Sequence, residues 1–332
     1  MANQRLSNLE LLRIVCMILI ITGHVISRHS KAICLTDSDE IIRLFGLSFT
    51  SVSVNTFILI SGYFGLNFKK VRLLELVLQT FFYSVSLLAV SVLLGWHTFA
   101  IQKDFIAFFP ILTKQYWFVT CYFVLYVISP WLNLCIKNFD KQTYGRLLVV
   151  GFAIVYLWPT FSYLFNTAQF IGDAGFGIVN FCYLYLLGRY LNLHYCHKKS
   201  SSFYLCLYVL TSITLFILQF SLSCLLGFEF TSWISYNTIF VFIGAICLFL
   251  SFLSMNFQSK FVNFWAKPCL AVYLIHLSPY IWVRFCEVIG VSNYHGIQYI
   301  VFLIILPIVV YFVCASIELC RIGVMSKIGL KR

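Results

Sequence analysis

The stretch LELLRIVCMILIITGHVISR, residues 9–28, decides the fold. It is almost wholly apolar, and at about 1.5 Å of rise per residue it makes a helix of about 30 Å, the thickness of bilayer hydrocarbon. A secretory signal has a shorter apolar region and ends in a small-residue cleavage site. This run instead contains Glu10 and Arg13 and is followed by Arg28, His29 and Lys31, so it reads as a retained first helix.

Comparable apolar runs recur along the chain, at residues 46–66, 73–95, 116–136, 146–163, 176–193, 203–226, 234–255, 268–289 and 297–320. Barrel strands would show weak alternation over about ten residues, and these unbroken runs do not. Composition agrees: of 332 residues 61% are hydrophobic and 10% charged, against about 25% charged in a soluble domain. The expectation is an all-α, polytopic integral membrane bundle of about ten transmembrane helices. With no internal repeat, low-complexity tract or linker, residues 1–332 read as a single membrane domain.

Lys and Arg gather in short cytoplasmic loops. With ten helices, one face receives Arg5, Lys69, Lys70, Arg72, Lys137, Lys141, Arg146, Lys198, Lys199, Lys260, Lys267, Arg321, Lys327, Lys331 and Arg332. The other receives only Arg28, Lys31, Arg43, Lys103, Lys114 and Arg284. Both termini are therefore expected in the cytoplasm, and the net charge of +12 follows from topology with no nucleic-acid partner. Membrane lipid is the solvent. The thirteen cysteines sit mostly singly in apolar runs and show no metal-ligand spacing, so neither a disulfide framework nor a metal is expected. The longer loops, about residues 29–45, 96–115 and 164–175, fall on the outer face, where an external acceptor would meet the protein.

Ionisable groups inside spanning helices are expensive and mark the places to look for chemistry. Glu10 and Arg13 are three apart, neighbours on one helical face. Arg13 and His24 are eleven apart, which returns to within about 20° of the same direction and rises about 16 Å. They form one stripe, with Arg13 toward the cytosol and His24 toward the outer half. The stripe suits an extended molecule arriving from the cytosol; Arg13 snorkelling to one interface and His24 at the other headgroup boundary is the competing reading. His276, in LAVYLIHLSPY (270–280), is expected near the bilayer middle, as a base or as a histidine bonded to its own helix.

In NTFILISGYFGLNFKKVRLLE (55–75), Asn55 and Gly62 share a face, and Ser61 and Gly62 permit close approach of a helix or a ligand. Lys69, Lys70 and Arg72 follow at the cytoplasmic boundary, a cation cluster suited to phosphate and also produced by topology alone. Tyr116 and Trp117 open KQYWFVTCYFVLYVISPWLN (114–133) in the manner of an interfacial aromatic belt, and Arg189 lies close to a cytoplasmic helix end.

Taken together these segments resemble the membrane acyltransferase-3 family, which includes bacterial O-acetyltransferases acting on surface polysaccharides. The family's first-helix pattern is matched by Glu10, Arg13 and His24, and NTFILISGYF, YWFVTCYFVLYVISPWLN and AVYLIH resemble its later blocks in the same order. Where the family usually has two Arg separated by two residues, this chain has Lys69 and Arg72, which keeps the charge and loses bidentate geometry at the first position.

The resemblance implies a bacterial cell-membrane enzyme that takes an acyl group, most often acetyl, from acyl-CoA in the cytoplasm. It passes the group to a hydroxyl of a cell-surface or lipid-linked glycan. Lys69, Arg72 and Lys70 would hold the nucleotide end of acetyl-CoA, and the pantetheine arm would follow the stripe above Arg13. His24 would meet the thioester, as base or as transient acyl carrier. Glu10 would orient Arg13, and Ser61, Tyr63 or His276 would stabilise the oxyanion. Asn55, Ser61, Tyr63 and Trp117 are the substrate-facing positions.

Some family members carry a fused extracytoplasmic hydrolase-like domain. None is expected here, so transfer is direct or uses a separate extracytoplasmic partner. Two other classes fit ten helices with central charges. They are a transporter or flippase of a polysaccharide pathway and an assembly subunit of an export machine.

Overall fold

The computed structural model describes residues 6–29, 37–196 and 199–327; Arg5, Lys31, Lys198, Lys331 and Arg332 lie outside them. In chain order the helices are α1 (Ser7–Ile26), α2 (Ser38–Thr50), α3 (Ser53–Phe64), α4 (Lys70–Leu93), the short α5 (Ile101–Asp104), α6 (Trp117–Asn138), α7 (Lys141–Phe152) and α8 (Trp158–Phe165). They continue with α9 (Ile178–His194), α10 (Ser201–Leu226), α11 (Ile239–Leu253), α12 (Lys260–Trp265), α13 (Cys269–His276), α14 (Trp282–Ile289) and α15 (Gly296–Lys327). The chain is a multi-pass helical membrane protein, and among the described residues eight helical spans are long and apolar enough to cross a bilayer, with α2 and α3 joined as one span (Ser38–Phe64), α7 and α8 as another (Lys141–Phe165), and α11 extended back to Ser232.

All ten expected runs are helical, with differences: the run at 46–66 takes in the end of α2 and all of α3, that at 146–163 passes from α7 through a π turn into α8, and two more depart further. The run at 176–193 is α9, seventeen residues long and about 26 Å, with much of its length buried in protein. The run at 268–289 is broken into α13 and α14. Pro279 lacks the amide that would continue the ladder and drives Ser278 away from helical geometry, so α13 stops at His276. His276 therefore ends a helix instead of sitting within one.

Two other prolines are accommodated within continuous spans. Pro130 of α6 leaves the Tyr126 carbonyl without its helical donor, and the Ser129 hydroxyl supplies one at 2.8 Å. Ahead of Pro159 the helix widens into a π turn over Ala153–Leu157, which relieves the clash a proline ring makes with the preceding turn.

Contacts group the chain into two compact units, each made of segments distant in sequence. The first gathers Met1–Ser30, Leu74–Tyr116 and Gln258–Arg332. Here α1 lies against α12, α13 and α15, and α13 against α15, through Leu12, Ile21, Val25, Ala271, Val272, Leu274 and Ala315, all fully buried. Ser7 Oγ accepts the Ser259 amide at 2.9 Å and fastens the start of α1. Buried Glu318 of α15 accepts from Gln79 Nε2 at 3.0 Å, Tyr83 Oη at 2.5 Å and Arg321 Nε at 2.6 Å, which ties α15 to α4.

The second unit gathers Lys31–Leu73 and Trp117–Phe257, centred on α3 against α9 and α10 against α11. Lipid supplies no hydrophobic drive between helices, so close backbone approach and polar ties carry the association. Gly62 and Gly188 make the α3–α9 crossing: a Cβ on Gly62 would lie 2.4 Å from the Tyr185 carbonyl oxygen, and one on Gly188 would lie 2.5 Å from that of Leu59. Arg43, assigned by sequence to an outer loop, is instead a buried residue of α2. It pairs with Glu40 at 2.6 Å and with Glu229, because a cation carried into a helix bundle is held only by counter-charge.

The Gly188 contact is with backbone, which cannot move aside as a side chain can. Gly188→Ala is expected to destabilise by about 1–3 kcal/mol through overpacking and to lower the unfolding temperature in detergent. Gly145→Ala, where the nearest atom to the new Cβ is 3.8 Å away, should leave that temperature unchanged or raise it. Equal behaviour of the two variants would contradict the crossing.

Candidate active site

α1 positions three of the candidate residues. Glu10 lies in its first turn, and Arg13 reaches back one turn so that Nη1 is 3.1 Å from Glu10 Oε1. The carboxylate is almost buried, and about a third of the arginine side chain is exposed. Glu10 Oε2 is buried with no hydrogen-bond partner among the described residues. The pair is thus a partly desolvated cation with a carboxylate fixing its orientation. The Arg13 carbonyl takes a hydrogen bond from Cys269 Sγ at 3.5 Å, which links this turn to α13.

At the other end of α1, His24 is half-buried. Its ring centroid is 5.6 Å from that of His276, at the end of α13. Two histidines separated by some 250 positions are therefore neighbours. His276 is buried, with Trp282 edge-on at 5.7 Å and Tyr273 edge-on at 6.1 Å. Tyr273 in turn lies 6.1 Å from Tyr116, and Ser278 is fully buried in the turn that ends α13. Sequence reading passed over Tyr116, Tyr273, Ser278 and Trp282 as participants. The available signal was the helix-stopping Ser278–Pro279 pair directly after His276.

The loop 96–116 is anchored by Asp104, 1% exposed. Its carboxylate accepts the Ala100 amide at 2.8 Å and lies 2.9 Å from His97 Nε2, while the Tyr280 ring meets His97 edge-on at 5.2 Å. Burial opposes ionisation, but the Ala100 amide and the His97 imidazole outweigh it and hold the Asp104 carboxyl below the usual carboxylate range.

The remaining candidates belong to the second unit. Lys69 immediately precedes α4, Lys70 opens it and Arg72 lies in its first turn, all exposed, and among the described residues no carboxylate pairs with them. The loop before them is held in place: Tyr126 Oη donates to the Asn67 carbonyl at 3.0 Å and accepts the Lys69 amide at 2.9 Å. Tyr185 Oη accepts the Leu66 amide at 3.0 Å and donates to Asn133 Oδ1 at 2.6 Å. Gly65 turns with φ of 74° over the Arg189 guanidinium, whose Nη1 donates to the Tyr63 carbonyl at 3.3 Å. Arg189 thus caps the end of α3.

Asn55 is fully buried and used on both sides, donating to the Tyr236 carbonyl at 2.8 Å and accepting from Asn180 Nδ2 at 3.2 Å. Ser61 Oγ donates to the Phe57 carbonyl at 3.2 Å, and the Tyr63 ring lies 5.5 Å from Phe249. Trp117 is half-buried, 4.6 Å from Phe176 and stacked on Tyr236 at 5.8 Å.

A family profile described as an acyltransferase domain matches residues 6–319, nearly the whole chain. No curated protein and no solved structure matches.

Because ionised Asp104 is favoured by the fold, its contribution is complete above the unfolded carboxylate pKa of about 3.9 and is lost as pH falls through the depressed folded value. The expected outcome is that Trp96 fluorescence and the protease resistance of residues 96–116 hold from pH 7 down to about pH 4 and fall below it. Asp104→Asn should show severalfold faster cleavage already at pH 7. A pH-independent cleavage rate would refute the anchor.

Proposed function

The chain belongs to the acyltransferase-3 family, and on that premise we propose that this membrane acyltransferase moves an acetyl group from cytoplasmic acetyl-CoA to a hydroxyl of a bacterial cell-surface or lipid-linked glycan. The observation that carries the reading is α1 itself. One helix holds a carboxylate-oriented arginine in its first turns and, eleven residues on, a histidine beside a second histidine.

The anionic end of the donor would meet Lys69, Lys70 and Arg72. Three cations at the start of a helix add to the positive end of its dipole, an arrangement that a bound anion relieves. Arg13, a partly desolvated cation, would interact strongly with a phosphate or carbonyl of the donor. His24 would act at the thioester. An imidazole serves there because one ring nitrogen can accept a proton while the other donates one, and His24, half-buried, is reachable by substrate. The cytoplasmic placement of both termini, and of the Lys69–Arg72 cluster with them, belongs to the same proposal. A single protein domain would then complete the transfer directly, or hand the group to a separate extracytoplasmic protein.

Deleting the gene and restoring it as wild type or as His24→Ala tests this, with the mass of surface glycans as readout. The expected result is an acetyl-sized mass difference restored by wild type and absent with His24→Ala, although the variant accumulates in the membrane normally. Purified Lys69→Ala and Arg72→Ala proteins should each show a KM for acetyl-CoA raised about 10- to 100-fold, the loss of one charge-assisted contact. Normal acetylation with His24→Ala, or saturable solute flux with no CoA release, would overturn the proposal.

A further inference from the structure

His276 Nδ1 lies 2.7 Å from the carbonyl oxygen of Val272, one turn back on α13. A carbonyl can only accept, so Nδ1 carries the proton, and in the neutral ring Nε2 is a bare lone pair. That nitrogen is buried and has no hydrogen-bond partner among the described residues, in a side chain only 3% exposed. Buried acceptors left without a donor are costly and call for an explanation, most often a ligand or an ordered water. The same fact excludes an expectation drawn from sequence: a ring whose proton is committed to Val272 has none to offer an oxyanion.

The missing partner must be a donor. Of the two substrates in the proposed reaction, the thioester offers only acceptors, a carbonyl oxygen and a sulfur. The hydroxyl offers an O–H. The nearest polar ring is His24, at 5.6 Å between centroids, close enough for a single hydroxyl to hydrogen-bond to both rings. Trp282 and Tyr273 each meet the His276 ring edge-on.

Resting on the acyltransferase reading, we infer that His276 Nε2 receives the proton of the hydroxyl being acylated, while His24 serves the thioester. The hydroxyl oxygen forms a bond to the thioester carbonyl carbon, and its proton passes to His276 Nε2. The carbon–sulfur bond breaks with its electron pair on sulfur. His24, 5.6 Å from His276 between ring centroids, takes the proton from His276 on one ring nitrogen as it gives the proton on its other nitrogen to the sulfur, so neither ring becomes an anion and both end neutral. The products are the ester and the free thiol of CoA, with no co-reactant. His276 becomes a catalytic residue on the hydroxyl side, and the turn Leu277–Tyr280 that follows it becomes the wall along which the hydroxyl approaches.

The test uses full-length protein in nanodiscs, radiolabelled acetyl-CoA and total surface glycan from cells lacking the gene. For His276→Gln and His276→Ala the expected result is a kcat lowered by about 10²- to 10⁴-fold, with the KM for acetyl-CoA within threefold of wild type. Transfer by either variant within threefold of wild type, or a raised donor KM with unchanged kcat, would sink the assignment. Should both variants misfold, wild-type protein labelled with ¹⁵N-histidine decides. The unprotonated Nε2 resonance of His276 should move on adding the glycan and stay put on adding acetyl-CoA alone; the reverse pattern, or no movement, counts against it. Wild type that releases no CoA would bring down the underlying reading, whereas active wild type with active variants brings down this inference alone.

Discussion

Hydrocarbon offers no hydrogen-bond partner, so each polar group carried into it must find one inside the protein. That constraint makes every span a helix, and it also governs the side chains. Ser129 supplies the Tyr126 carbonyl deprived by Pro130. Tyr156 donates to Asn180, Asn180 donates to Asn55, and Asn55 donates to the Tyr236 carbonyl, so a chain of buried amides and hydroxyls links α3, α9 and the segment before α11. Glu318 in the first unit and Arg43 in the second are buried charges, and each is surrounded by oppositely charged or polar groups at hydrogen-bond distance. Breaking such pairs leaves an uncompensated charge, which explains why they recur at helix contacts.

Some buried polar atoms in both units nonetheless lack a hydrogen-bond partner among the described residues, and two of them concern the candidate site. Glu10 Oε2 and His276 Nε2 are buried and unpartnered among the described residues, and both belong to the first unit, on or against α1. They flank the stripe that runs from Arg13 to His24. A site that handles charged and polar substrates needs groups whose bonding is incomplete before the substrate arrives. The second unit contributes a different kind of exception: Lys69, Lys70 and Arg72, exposed and without a paired carboxylate among the described residues, at the start of α4 beyond a loop tied by Tyr126 and Tyr185. Preorganisation of that loop lowers the ordering cost when an anion binds.

Much of this was legible in the chain. Ten apolar runs announced the helices because length and hydropathy are set by the bilayer and not by partners. Glu10 and Arg13 were readable as a pair because three positions on a helix is a local distance, and Gly62 as a point of close approach because it lacks a side chain. The departures are local conflicts that hydropathy ignores. Pro279 breaks an apolar run that otherwise looks continuous. Arg43 was placed in a loop because its charge outweighed the helical pattern around it. Asn55 looked available for substrate because its polarity was visible while its two partners, Tyr236 and Asn180, lie far away in sequence.

The sequence by itself determined that this protein lives in a membrane, that its spans are helices, and that Arg13 and His24 share one face of the first. Those are consequences of bilayer thickness and helical period, which act along the chain. Only the tertiary structure decided that His276 stands beside His24, that Gln79 and Tyr83 of α4 meet Glu318 of α15, and that Arg43 meets Glu229. These depend on which helices meet and where a proline ends one of them. Contacts across more than a hundred residues are set by packing and by the pairing of buried polar groups, and neither quantity is periodic in the sequence.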